Sequence, residues 1–169
     1  ACVQTVKPVE HNSSEPFNKN HELYSSSVND SFFINVHLPG SYYTQDTTYP
    51  VVFVLDANLY GDIYNVIEDK YAEVGLLPNV ILVNVGYKDF PAMDSLRNRD
   101  YTYPVAIPEY EMTVSGGADK FLSFFRDQLV NYIDSNYRTD KHNRVLMGHS
   151  LGGYFALYSL YKGLEVQQN

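Results

Sequence analysis

The chain has a single cysteine, Cys2, so it can form neither an internal disulfide nor a zinc–thiolate cluster. It is also poor in positive charge. Lys and Arg total 12 against 20 Asp and Glu, for a formal net charge of −8. The basic residues are scattered, which argues against a phosphate-backbone partner, because nucleic-acid binding needs clustered Lys and Arg. At long range an acidic surface favours neutral or cationic ligands, although a local pocket overrides that preference. No apolar run approaches the roughly 18 residues of a membrane span. No charge block and no internal period of the solenoid kind is found either. The chain does not begin with Met, and no signal-peptide core precedes Ala1. Ala1-Cys2 fits the junction at which a bacterial lipoprotein is cleaved ahead of a lipidated cysteine, and it fits a plain chain boundary as well. The first reading puts the protein outside the cytoplasm (periplasmic, secreted or lipid-anchored through Cys2). The second leaves it cytoplasmic.

With 169 residues, 44% hydrophobic and 19% charged, the chain is long enough for one globular domain with a sizeable core. Residues 1–20 are rich in Asn, Ser, Pro and Glu without periodicity and read as an irregular arm. Residues 21–169 read as a single α/β domain. Leu23–Val28 and Phe32–Leu38 flank the turn signal Asn29-Asp30 and predict an antiparallel hairpin. Val51–Leu55 and Val80–Val85 are apolar on both faces, as strands of a mostly parallel sheet must be. Ile63, Val66, Ile67 and Tyr71 fall at helical spacing, and Gly75 and Pro78 stop that helix. Gly86–Gly117 is long, aromatic and proline-dotted, and a loop of that length is often functional. Asp119–Asn136 is the clearest helix, with Phe121, Leu122, Phe125, Leu129, Tyr132 and Ile133 on one face. Arg144–Met147 predicts a short strand, and Gly152–Lys162 a helix offering Ala156, Leu157, Leu160 and Tyr161 for burial. Strands alternating with helices predict an α/β architecture.

The chemistry concentrates in Gly148-His149-Ser150-Leu151-Gly152, a G-x-S-x-G pattern entered directly by a strand and left directly by a helix. That is the setting of a nucleophile elbow. The elbow holds its serine in a sparsely populated backbone conformation, so the positions two away must be small, and Gly148 and Gly152 supply the clearance. Gly153 lets the helix approach the sheet. Ser150 is thus the candidate nucleophile, with the Leu151 amide at a helix N-terminus where an oxyanion would form.

With these residues the chain resembles the putative-esterase family of α/β-hydrolases, which includes esterase D-like enzymes, enterochelin and other siderophore esterases, feruloyl esterases and mycolyltransferases. The matching segments are Gly148 to Gly153, Tyr132-Ile133 with Asn136-Tyr137-Arg138-Thr139, Arg97-Asn98-Arg99-Asp100-Tyr101-Thr102, and Val51 to Asp56 followed by Ala57-Asn58. The Arg99-Asp100-Tyr101-Thr102 run is most similar to the siderophore-esterase-like branch. Val130-Asn131 and Tyr103 depart from the family's usual residues without touching the chemistry. The resemblance implies an α/β-hydrolase fold with helices on both faces of the sheet, and a second oxyanion amide from Asn58, or alternatively Ala57. It implies a carboxylic ester substrate of siderophore, feruloyl or acetyl type, and no metal or organic cofactor. Arg97, Arg99 and Asp100 follow the Val80–Val85 strand; Arg99 and Asp100 are candidates for substrate contact, the alternative being an Arg99–Asp100 or Arg97–Asp100 ion pair that holds the loop. An acyltransferase would use the same nucleophile, and a non-catalytic binding protein would keep only the scaffold.

In this fold the triad runs Ser, acid, His along the chain. The five histidines are His11, His21, His37, His142 and His149, all before Ser150, and Glu165 lies too near the end of the helix to serve as the acid. The expectation is that the last strand–helix units are absent and carry the triad histidine and acid, so that this chain alone is inactive. The strand before Ser150 would then be an open edge, inviting a complementary chain or self-pairing.

Overall fold

The computed structural model describes residues 17–107 and 112–167; most of the N-terminal arm, with Cys2 and His11, lies outside them, as does the side chain of Glu165. Five strands form one sheet in the order β1-β2-β4-β3-β5. They are β1 (Asn18–Ser25), β2 (Asp30–His37), β3 (Tyr49–Val54), β4 (Ile81–Gly86) and β5 (Thr139–Met147). The helices are α1 (Ala57–Glu73), α2 (Phe90–Tyr101), α3 (Ala118–Ser123), α4 (Val130–Asn136) and α5 (Leu151–Gln167), with a π-helical stretch at Phe124–Leu129 joining α3 to α4.

The sheet is mixed rather than mostly parallel. β1 pairs antiparallel with β2 and β2 antiparallel with β4, while β4, β3 and β5 run parallel. The hairpin causes this. Its turn, with Asn29 at φ 62°, returns the chain beside β1, and β2 then meets β4 head to tail. The hairpin also begins earlier than Leu23, because Asn18 already pairs with His37. Asn18–Asn20 therefore belong to β1 and not to an arm. They read as polar irregular chain because an edge strand half in solvent needs no apolar run.

Side chains alternate across a strand, and β2 shows what each face of the sheet holds. Phe32, Ile34 and Val36 enter the main core with Phe121, Phe124, Leu129 and Ile133 of the α3–α4 helix and Phe155 of α5. Asn35 and His37 point the other way, toward Asn65 and Asp69 of α1. Helices thus cover both faces. α1 does not bury its apolar residues. Ile63, Val66, Ile67 and Tyr71 do not form its buried side, and Ile63 and Val66 are 54% and 58% exposed. The helix instead lays Gly61, Asn65 and Glu68 on the sheet, where Asn84 donates to Asn35 and Asn65. The sheet is polar there, so a polar helix face meets it.

In the α3–α4 helix, Phe124 and Leu129 are both fully buried although five residues apart. The i→i+5 bonding of the π stretch, with the Val130 amide donating to the Phe125 carbonyl, brings such a spacing onto one face. In α5 the buried stripe is Phe155 and Tyr158, whereas Leu157, Leu160 and Tyr161 are exposed. The Gly86–Gly117 segment is not all loop. Asp89 caps α2 by accepting from the Ala92 amide, and a proline sits in the first turn, an arrangement that starts helices.

Candidate active site

β3, β4 and β5 end side by side at one edge of the sheet, and three loops leave from there. β5 runs into Gly148, turns through Ser150 and enters α5 at Leu151. Ser150 has φ 56°, a left-handed conformation that a residue with a Cβ adopts at a cost of about 1–2 kcal/mol. The tightness of the turn is measurable. A Cβ on Gly148 would lie 2.3 Å from the Gly152 carbonyl carbon, and one on Gly153 would lie 3.2 Å from the Gly148 carbonyl oxygen. Gly148→Ala is therefore expected to destabilise the protein by about 3 kcal/mol, the upper end of ordinary overpacking, and to abolish reaction at Ser150. Gly153→Ala should cost less than half of that. Urea denaturation of both variants checks the ranking, and equal costs would mean the elbow is not the tight point.

The turn is fastened at His149 and at the start of α5. The Gly152 amide donates to the His149 carbonyl and the Tyr154 amide to the Ser150 carbonyl. The His149 ring turns away to Tyr60, whose hydroxyl lies 3.0 Å from Nδ1. Leu151 is the first residue of α5, so its amide has no acceptor within the helix.

The loop after β3 forms the opposite wall. Asp56 has φ 56° and precedes α1, whose first two residues are Ala57 and Asn58. Their amides too lack an intrahelical acceptor. The Asn58 side chain brackets the residue after β4, donating to the Tyr87 carbonyl at 2.9 Å and accepting from the Tyr87 amide at 2.8 Å. Gly86 makes room for it, since a Cβ there would sit 2.8 Å from Asn58 Oδ1. Asn58 is thereby pinned at the exits of two strands. The Asp56 carboxylate is buried and takes a two-pronged ion pair from Arg97 of α2, at 3.0 and 2.8 Å. The same guanidinium reaches the His149 carbonyl at 3.4 Å. Arg97 thus ties the loop after β3 to the elbow, a connection not expected from the sequence. A buried Asp at the end of an apolar strand was its only local sign.

Arg99 and Asp100 lie together one turn further on. Arg99 donates twice to Asp100, at 2.7 and 3.0 Å, and once to Asp30 of the hairpin at 2.9 Å. Tyr87 adds a hydroxyl bond to Asp100. Burial lifts the Asp100 carboxyl above its usual range, with Arg99 and Tyr87 pulling the other way. Of the two roles foreseen for Arg99, the contacts present are those of the loop-holding ion pair.

Beside the elbow lies an apolar hollow of about 430 Å³. Leu151 and Tyr154 of α5 form one wall, and Tyr103, Pro104, Val105, Ile107 and Met112 form the other. The long segment after α2 thus supplies a pocket wall next to the elbow. Among the described residues no histidine hydrogen-bonds to Ser150. His21 sits between Tyr132 and Tyr137, His37 between Asn18 and Asp69, and the His142 side chain is exposed on β5.

A sheet of this order with a serine elbow between strand and helix defines a chain of the α/β-hydrolase type. The chain belongs to the family described as "Putative esterase", whose model matches residues 25–165. It is 36% identical over 123 residues to the ferri-bacillibactin esterase BesA of Bacillus subtilis (strain 168), covering 66% of this chain and 42% of that protein. It is 26% identical over 119 residues to the apo-salmochelin esterase of Escherichia coli O6:H1, covering 66% and 36%. The crystal structure of the BES protein from Bacillus cereus superposes with a TM-score of 0.77 at 27% identity, over 97% of this chain and 61% of that one. The chain therefore spans less than half the length of these curated relatives. No described helix is long and apolar enough to cross a membrane.

Proposed function

We propose that the protein carrying this chain hydrolyses carboxylic esters through an acyl-enzyme on Ser150. The observation that supports it is Ser150 held at φ 56° between two glycines, at the junction of β5 and α5. In this reading a histidine from outside the 169 residues takes the Ser150 proton as Oγ attacks the carbonyl. The amides of Leu151 and Asn58 receive the oxyanion, and water then releases the acyl group. The kinship to siderophore esterases points to a siderophore ester as substrate. The apolar hollow beside Leu151 and Tyr154 would take an aromatic or aliphatic portion of it. The test is covalent labelling of the whole protein by a fluorophosphonate, followed by peptide mapping. Stoichiometric labelling at Ser150 together with burst kinetics on p-nitrophenyl acetate supports the reading. An absence of both, in protein that is folded, overturns it.

The same reading extends the sheet. β5 stands at its edge, with Val145 52% exposed. Apolar walls flank it on both faces, one with Ile67 and Leu77 and the other with Phe125 and Val130. A further strand from the rest of the protein would cover this edge. The 169-residue chain alone is expected to self-associate through it, and Val145→Lys to reduce that association in sedimentation velocity. A monomeric wild-type chain would contradict the open-edge reading.

A further inference from the structure

Three ligating side chains meet far from Ser150, on the face of the sheet covered by α1. His37 closes β2, and its antiparallel pairing with Leu82 places it near the start of β4, whereas Ser150 follows the other end of β5. Glu68 and Asp69 come from α1. His37 Nε2 lies 3.0 Å from Asp69 Oδ1 and 3.6 Å from Glu68 Oε2. The three ligand atoms all fall within 4.8 Å of one another. From this geometry we propose that His37, Glu68 and Asp69 form a binding site for a divalent transition-metal cation of the zinc type.

The opposite side of the imidazole sets up the argument. His37 Nδ1 is 3.0 Å from Asn18 Oδ1. An amide oxygen only accepts, so Nδ1 carries a proton. In the neutral ring the Nε2 lone pair then points at two carboxylate oxygens. Three electron-rich atoms converging in this way require a positive charge between them. A proton on Nε2 meets that requirement for one oxygen, and Asp69 is the nearer. Glu68 Oε2 is left over. Glu68 is only 3% exposed, and its Oε2 has no hydrogen-bond partner, although Oε1 accepts from the Val80 amide at 3.3 Å. A buried carboxylate oxygen left in that condition is costly. A cation bound to all three ligands satisfies it.

The distances suit such an ion. Bonds of 2.0–2.2 Å in a tetrahedral site hold neighbouring ligands about 3.4 Å apart. The two short separations in this cluster bracket that value, so small side-chain adjustments complete the set. Glu68 and Asp69 also line a hollow of about 380 Å³ together with Ser41, Glu73 and Asn79, from which water would supply a fourth ligand. Asn18 does what the outer partner of a metal-bound histidine ordinarily does, fixing tautomer and ring orientation. One imidazole nitrogen and two carboxylates favour zinc over calcium or magnesium, which need more oxygen ligands. The site joins the end of β2 to α1 and is independent of the ester-hydrolysis reading. It departs from the expectation that no metal is involved.

The test uses the whole protein dialysed against EDTA and titrated calorimetrically with ZnCl2, alongside thermal unfolding with Zn²⁺, Mg²⁺ and Ca²⁺. The expected result is saturable binding that Asp69→Asn and Glu68→Gln each weaken at least tenfold, and a Tm raised by Zn²⁺ alone. Asp69 is half exposed, so Asp69→Asn should fold even if Glu68→Gln does not. A parental far-UV circular dichroism spectrum and a cooperative thermal transition report that each variant is folded. No binding by the wild type, or equal binding by Asp69→Asn, overturns the proposal.

Discussion

Replacing Ser150 by Ala in the whole protein is expected to lower kcat for p-nitrophenyl butyrate by roughly 10⁴–10⁶-fold, the range seen when a triad nucleophile is removed. Its Tm should stay within about 2 °C of the parent, since Ser150 is exposed and its side chain has no hydrogen-bond partner among the described residues. The separation of the two effects is the substance of the prediction. Ser150 contributes nothing to packing, yet it occupies a left-handed backbone position that a glycine would fill with less strain. Ser150→Gly should therefore be more stable than the parent, by about 1 kcal/mol, and equally inactive. Strain retained at a position where a more stable residue is inactive is the mark of a site kept for its chemistry. Urea denaturation and initial rates on the three proteins decide the matter. Residual hydrolysis above a hundredth of the parent rate in Ser150→Ala would place the nucleophile elsewhere.

How much of this was readable in advance depends on whether the determining contact was local. The elbow was legible because Gly148, Ser150 and Gly152 impose their geometry within five residues. The buried strands β3 and β4 were legible for a similar reason, since a β-branched apolar run carries its own evidence of burial. The buried face of α1 was not legible. Ile63, Val66, Ile67 and Tyr71 have helical spacing, but which side of a helix is buried depends on what it meets, and here it meets Asn35, His37 and Asn84. α2 was missed because its interior residues include Asp100 and Tyr101 rather than an apolar stripe. Its capping aspartate and early proline were the available signal. The π stretch had no signature beyond two fully buried residues at an unhelical spacing. The partners of Ser150 differ again, since among the described residues no histidine hydrogen-bonds to it.

Arg97→Ala is expected to destabilise the protein by about 3–5 kcal/mol, the cost of stranding one partner of a buried ion pair. The Asp56 side chain is 2% exposed and that of Arg97 17%, so solvent screens the pair weakly. In the proposed mechanism Arg97 is also expected to affect the rate, which a purely structural ion pair would not. Asp56 leads into the Ala57 and Asn58 amides, and Arg97 also bonds the His149 carbonyl beside the nucleophile. In the proposed mechanism one guanidinium therefore fixes the distance between the two amides that receive the oxyanion. A misplacement of about 1 Å in such a site costs on the order of 10²-fold in rate, and the loss should fall on kcat rather than on KM. Arg97→Lys keeps the charge but not the two-pronged geometry, and it should recover much of the stability while recovering less of the rate. The double variant Arg97→Ala/Asp56→Asn should be more stable than Arg97→Ala, because the stranded charge is gone. Denaturation curves and separate kcat and KM values for the four proteins distinguish the alternatives. A change confined to KM would make Arg97 a substrate-binding residue. A cost below about 1 kcal/mol, the range of a surface pair, would mean that Asp56 is not held by it.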